Sequence, residues 1–132
     1  MSQSGYKDLI AWQKAMELVA AIYDTTDRFP LNEQFGLVSQ LRRAAVSVPS
    51  NIAEGKAHYS NREFVRFLRH ARGSLAEIET QVPIAQQRKY LNAQTATTLT
   101  QKIDELGRIL SGLIKSLSKA EQARDSGLGT QD

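Results

Sequence analysis

Ala96, Leu99, Ile103, Leu106, Leu110, Leu113 and Leu117 are separated by alternating steps of three and four residues. That spacing constrains this chain more than any other feature. Apolar side chains recurring at such intervals line one stripe of an α-helix, close to the seam spacing of bundled helices. A stripe of this kind has to be covered by other elements. The chain supplies three further segments of the same type. Leu9, Trp12, Met16, Val19, Tyr23 and Thr26 mark the first, and Val38, Leu41, Ala45, Val48 and Ile52 the second. Phe64, Phe67, Leu68, Ala71, Leu75, Ile78, Val82 and Ala85 mark the third. No strand-like alternation competes with them.

The breaks between segments are equally legible. Pro30 disfavours helical geometry at Phe29, after which Asn32 is the expected cap of the second helix. Gly55 is the expected stop of that helix. Ser60-Asn61-Arg62-Glu63 reads as a capping box, the Ser60 hydroxyl serving the Glu63 amide and the Glu63 carboxylate reaching back. Pro83 is expected to kink or fray the last turns of the third helix, and Asn92 to cap the fourth. Beyond Lys119 the apolar spacing lapses. The expected organisation is therefore a flexible N-terminus over 1–5, a helical domain over 6–119 and a disordered tail over 120–132. Short connections force neighbouring helices to run antiparallel, which predicts an all-α, up-down-up-down four-helix bundle.

Composition narrows the functional classes. None of the 132 residues is cysteine, which removes disulfides, thiolate metal sites and cysteine nucleophiles together. No apolar run approaches the roughly 20 residues that span a bilayer, and no charged-then-apolar leader precedes Tyr6. A cytoplasmic setting is the expectation. A di-metal carboxylate site in a bundle needs Glu-x-x-His pairs, and neither His58 nor His70 follows a glutamate by three positions. Glu54 and His58 are four apart, but the expected helix stop at Gly55 separates them. With no strands there is no strand-borne phosphate loop, and no serine carries a nucleophile motif. The expectation is a non-enzymatic protein without cofactor or metal.

The charge is unevenly placed. From Arg42 to Arg72 seven basic residues face two acidic ones, a local excess of +5 that leaves the remainder of the +3 chain at −2. On a wheel advancing about 100° per residue, Arg66 and Arg69 fall within about 40° of Arg62 and opposite the apolar stripe. Like charges three and four apart repel by a few tenths of a kcal/mol. A helix needing only solubility tends to mix signs, as Lys102, Asp104, Glu105 and Arg108 do. The candidate polyanion-binding set is Arg62, Arg66, Arg69 and Arg72, with Arg42, Arg43 and Lys56 in support. RNA or DNA would be met at its backbone, since no base-reading signature accompanies these residues. The alternatives are a solvated face, or arginines answering carboxylates on another protein or another subunit. On the second helix, Arg43, Ser47, Ser50 and Glu54 form a polar ridge beside Pro49, which costs about 3 kcal/mol inside a regular helix. There Ser50 or Asn51 is expected to satisfy the freed carbonyls. Ser47, Pro49, Ser50, Asn51 and Glu54 are the candidate subunit interface.

The stretch "FPLNEQFGLVSQLRRAAVSVPSNIAEG", followed by "SNREFVRFLRHARGSLAEIETQ", resembles the four-helix bundle proteins encoded by intervening sequences within bacterial 23S ribosomal RNA genes. "YKDLIAWQKAMELVAAIYDTT" and the leucine-rich fourth segment fit as well, so the likeness runs from about Tyr6 to Lys119; Pro83 departs from the pattern. The resemblance implies a homopentameric ring of compact bundles. It also implies kinship with the accessory variability protein of diversity-generating retroelements, a basic pentamer that works with a reverse transcriptase and nucleic acid. It supplies no enzymatic activity to borrow. Expected partners are thus further copies of the chain, then RNA or DNA, or a protein if the bundle is a scaffold instead.

Overall fold

The computed structural model describes residues 5–130. Helices α1 (Ile10–Thr26), α2 (Leu37–Ala57), α3 (Asn61–Gln87) and α4 (Ala93–Thr130) follow one another with short 3-10 turns at Tyr6–Asp8 and Leu31–Glu33. Each packs antiparallel on its chain neighbours, and α1 closes the ring against α4. This is the expected all-α, up-down-up-down four-helix bundle.

The apolar stripes of α2 and α3 point inward as the spacing predicts, and every marker of the third stripe is buried. On α4 the burial runs from Ala96 to Leu110, with Leu113 and Leu117 half-covered. On α1 the core face lies one residue away from the expected stripe. Ala11, Ala15, Leu18, Ile22 and Thr26 are buried, whereas Met16 and Tyr23 are 43% and 39% exposed. α1 carries two apolar faces, and the bundle takes the one with small alanines, which lets α1 approach its neighbours closely.

Several helix ends differ from the expected ones. α2 begins at Leu37 rather than after Asn32, because the Glu33 carboxylate accepts the Leu37 amide at 3.0 Å. The other Glu33 oxygen accepts the Tyr90 hydroxyl at 2.8 Å, and the Tyr90 ring lies 5.4 Å from that of Phe29. One side chain thereby ties the α1–α2 connection to the α3–α4 connection. At α3 only half of the capping box forms. Ser60 Oγ accepts the Glu63 amide at 3.0 Å, while the Glu63 carboxylate accepts from Arg66 instead. α3 runs through Pro83 to Gln87. It ends in a Schellman-type turn, with the Tyr90 amide donating to Ala85 O and Lys89 in the left-handed region at φ 66°. Asn92 caps α4 as expected, its side-chain oxygen accepting the Thr95 amide at 2.8 Å. α4 then passes the expected limit at Lys119 and continues to Thr130. Its apolar spacing lapses there, but Ala120, Glu121, Gln122, Ala123 and Arg124 are good helix formers. Residues 1–4 of the expected N-terminal arm and 131–132 of the expected tail lie outside the described residues.

Gly55 is not a helix stop. α2 continues to Ala57, and Gly55 is buried where α2 and α3 come together. A Cβ there would stand 2.7 Å from Phe67 Cβ and 3.3 Å from Phe64 O. Both atoms are fixed by the α3 backbone, so the helices themselves would have to separate. Gly55→Ala is expected to destabilise the protein by about 1–3 kcal/mol, read as a lower urea midpoint at unchanged slope.

The hydrogen bond from the Leu37 amide, helped by the one from Tyr90, holds the Glu33 carboxyl below its usual range. A depressed carboxylate stabilises the fold above its unfolded-state pKa, and that contribution is lost as pH falls through the folded value. Thermal melts should therefore show Glu33→Gln less stable than the parent at neutral pH. The gap should close in acid, below the range where glutamates titrate.

Candidate nucleic-acid interface

The seven candidate cations do not form one surface. Arg42 turns inward against α1. Its Nε donates to the buried Thr26 hydroxyl at 2.9 Å, its outer nitrogen pairs with Asp27 at 2.8 Å, and its guanidinium lies 4.4 Å from the Tyr23 ring centre. Thr26 Oγ1 in turn donates to Ile22 O at 2.7 Å, so Arg42 staples the end of α1 to α2. Arg43 stands on the other side of α2. There it lines a groove of about 500 Å³ shared with α3, beside Phe35, Ser74, Glu77 and Gln81. The Lys56 ammonium sits 5.8 Å from the Phe64 ring centre.

Arg62, Arg66 and Arg69 lie exposed along one face of α3, whose opposite face is buried. Arg66 is partly engaged. It pairs with Glu63 at 2.9 Å and lies over the Phe67 ring at 4.5 Å, and this pairing draws the Glu63 carboxyl below its usual range. Arg62, Arg69 and Arg72 pair with no carboxylate among the described residues.

Arg72 is half-buried and leans toward α4. A methyl group on Gly107 would come within 3.0 Å of its guanidinium nitrogen, so a residue without a side chain in mid-helix leaves Arg72 its place. Across the seam Arg69 and Arg72 share a groove of about 520 Å³ with Ser111, Ile114, Lys115 and Ser118 of α4. The local sequence around the arginines gives no sign of this α4 contribution. Lys115 lies some 45 residues from them along the chain, and only the antiparallel pairing of α3 with α4 brings it beside them.

The candidate interface on α2 also divides. Ser47 and Asn51 face α3. The Ser47 and Ser74 hydroxyls are 2.7 Å apart, and Asn51 Nδ2 donates to Ser47 O at 2.8 Å and to Ser47 Oγ at 2.9 Å. Ser50 Oγ donates to Val46 O at 2.8 Å. These bonds reach the two carbonyls after Ala45 rather than Ala45 itself, whose usual donor Pro49 lacks. Pro49 is buried on the side facing α1, while Ser50 and Glu54 are exposed. Pro49 and Ser50 join Tyr6, Trp12, Met16, Val19, Val46 and Ala53 around an apolar groove of about 270 Å³. The unburied apolar face of α1 is one wall of it.

Among the described residues no group of three His, Cys, Asp or Glu side chains is placed to hold a metal. The His58 ring lies on Phe67. No helix of the described residues is long and apolar enough to cross a membrane.

Antiparallel helices with one cationic outer seam and one apolar outer groove define a class of small helical bundle. The chain belongs to the 23S rRNA-intervening sequence protein family, whose model matches residues 7–112. Its fold is similar to the crystal structure of a protein of unknown function from the S23 ribosomal protein family of Bacteroides thetaiotaomicron. The two superpose with a TM-score of 0.74 at 23% identity, over 80% of this chain and 99% of that one. No curated protein matches the sequence.

Arg42→Ala should cost about 1–2 kcal/mol of stability, because it removes a charged donor from the buried Thr26 hydroxyl. Asp27→Ala, which removes only an exposed carboxylate, should cost well under that. Comparing the urea midpoints of the two variants checks the inward role of Arg42.

Proposed function

We propose that this chain is a non-enzymatic, self-assembling helical bundle that binds RNA or DNA through backbone phosphates on the α3–α4 seam. The observation that carries the reading is the set of cations without carboxylate partners, Arg62, Arg69 and Arg72, continued by Lys115. Ion pairs within the described residues do not account for these cations, and their mutual repulsion costs stability. Phosphate contacts offset such repulsion, and each one releases condensed counterions from the nucleic acid. Ser111 and Ser118 add hydroxyl donors in the same groove, and Arg66 and Lys56 extend the positive surface. Arg42 is withdrawn from the binding set by its ties to α1, and Arg43 faces the neighbouring groove.

Self-association draws on the apolar groove between α1 and α2. Met16 and Val46 stand exposed there, with Trp12 and Val19 half-covered beside them, and the family resemblance points to five copies. In a ring the seams repeat, so several weak phosphate contacts act together. A cytoplasmic setting suits a chain without cysteine. A protein-docking scaffold is the second reading, favoured by Phe35 and Leu31, which stand 96% and 87% exposed at the opposite end of the bundle.

A gel-shift titration across salt tests the first reading. Affinity should fall steeply with salt, and Arg62→Gln with Arg69→Gln should lower the slope by about 0.7–0.9 for each phosphate that is no longer neutralised. Absent binding at low salt, or binding unchanged in the double variant, would overturn it. Light scattering should give a multiple of the 14.7 kDa chain mass; the monomer mass would remove the assembly. A protein partner that survives nuclease treatment in a pull-down would favour the scaffold.

A further inference from the structure

The turn between α2 and α3 carries side chains that its geometry does not require. His58, Tyr59 and Ser60 connect the two helices, and Ser60 has a capping task. Such turns are usually built from small or polar residues. Here Tyr59 is fully exposed. The His58 ring lies almost parallel to that of Phe67, with centroids 5.2 Å apart and planes at 15°, and His58 is itself exposed. His70 meets the edge of Phe67 at 6.1 Å, and the Arg66 guanidinium covers Phe67 at 4.5 Å. Phe67 cannot shift without moving the helices, because it is seated against Gly55. The His58 and Phe67 rings and the Arg66 guanidinium thus form a layered group on a fixed floor, with Tyr59 fully exposed in the turn beside it and the unpaired cations Arg62 and Arg69 on the same helix.

Flat π-faces beside cations suit one kind of polyanion. A base pair in a duplex hides both faces of its bases in the stack and shows only edges and backbone. An unpaired base offers its face, and stacking on aromatic rings combined with a positive groove is how single strands are held without regard to sequence. Arginines alone would hold duplex and single strand alike. The aromatic turn makes the difference.

We infer that the α2–α3 turn is a stacking platform, with Tyr59 and His58 receiving unpaired bases while Arg62, Arg69, Arg72 and Lys115 hold the phosphates. The preferred ligand is then single-stranded RNA or DNA rather than duplex. This inference rests on the nucleic-acid reading above and narrows it.

Fluorescence anisotropy with the full chain tests it, using labelled oligo(U), oligo(dT) and a duplex of the same length at one low salt concentration. Both single strands should bind more tightly than the duplex. Tyr59→Ala should weaken single-strand binding about ten-fold, leaving the salt slope unchanged, whereas Tyr59→Phe should retain affinity. Arg62→Gln with Arg69→Gln should weaken binding of all three probes and lower the slope. Equal or tighter duplex binding, or single-strand binding indifferent to Tyr59→Ala, would overturn the platform and leave phosphate binding standing. An altered assembly mass in Tyr59→Ala would assign the ring to a subunit contact and also overturn it. Absence of binding to all three probes would overturn both readings. A preference for oligo(U) over oligo(dT), or the opposite, reflects the 2′-hydroxyl or the thymine methyl group and leaves the platform supported.

Discussion

The contact between Gly55 and Phe67 sets the distance between α2 and α3, and much of the molecule depends on that distance. With a hydrogen in place of a side chain, α2 settles against the α3 backbone, and Phe64 and Phe67 close over it. Upstream, the same close approach brings Ser47 within hydrogen-bonding reach of Ser74. Downstream, it fixes the floor on which His58 and Arg66 rest. The segment from Ser47 to Gly55 thus has a physical explanation in parts. Its serine and asparagine bond along α2 and toward α3, its proline packs toward α1, and its glycine admits α3.

Periodicity in the sequence is enough for the architecture, because four amphipathic segments with short connections leave few other ways to bury their stripes. It fails on α1 for a specific reason. That helix has two apolar faces about 100° apart, one rich in alanine and leucine, the other holding Trp12, Met16, Val19 and Tyr23. Hydrophobicity alone favours the bulkier face. The bundle interior favours the one that packs closest, and Ala11 and Ala15 allow this. The helix ends escape a local reading where a distant partner decides them. Glu33 caps α2 while bound to Tyr90, 57 residues away, and Gly55 resembles a terminator because its α3 partner is invisible in a local window.

The charged surface shows the same division. The outward ridge of Arg62, Arg66 and Arg69 is legible from helical angles, since position on α3 alone determines it. What each arginine touches is not. Arg42 and Arg43 are adjacent in sequence, yet about 100° of rotation sends one onto Thr26 and Asp27 and the other into the opposite groove. Lys115, absent from any local reading, joins Arg69 and Arg72 through the antiparallel register of α3 and α4.

The bundle separates the cations that serve its own stability from those it leaves available. Arg42 is bonded to a buried hydroxyl and is structural in the ordinary sense. Arg66 is intermediate, shared between Glu63 and the face of Phe67, so it fixes the ring as much as it adds charge. Arg62 and Arg69 have no such ties, and Arg72 lies where the absence of a side chain at Gly107 leaves it room. A glycine in mid-helix costs about 1 kcal/mol relative to alanine. At Gly107 that cost coincides with room for a guanidinium beside the α4 backbone, in a neighbouring groove that Arg72 shares with Glu79, Asp104 and Arg108. The glycine thus stands where Arg72 packs on α4. On the proposed reading, that room keeps a guanidinium at the seam where backbone phosphates would be held.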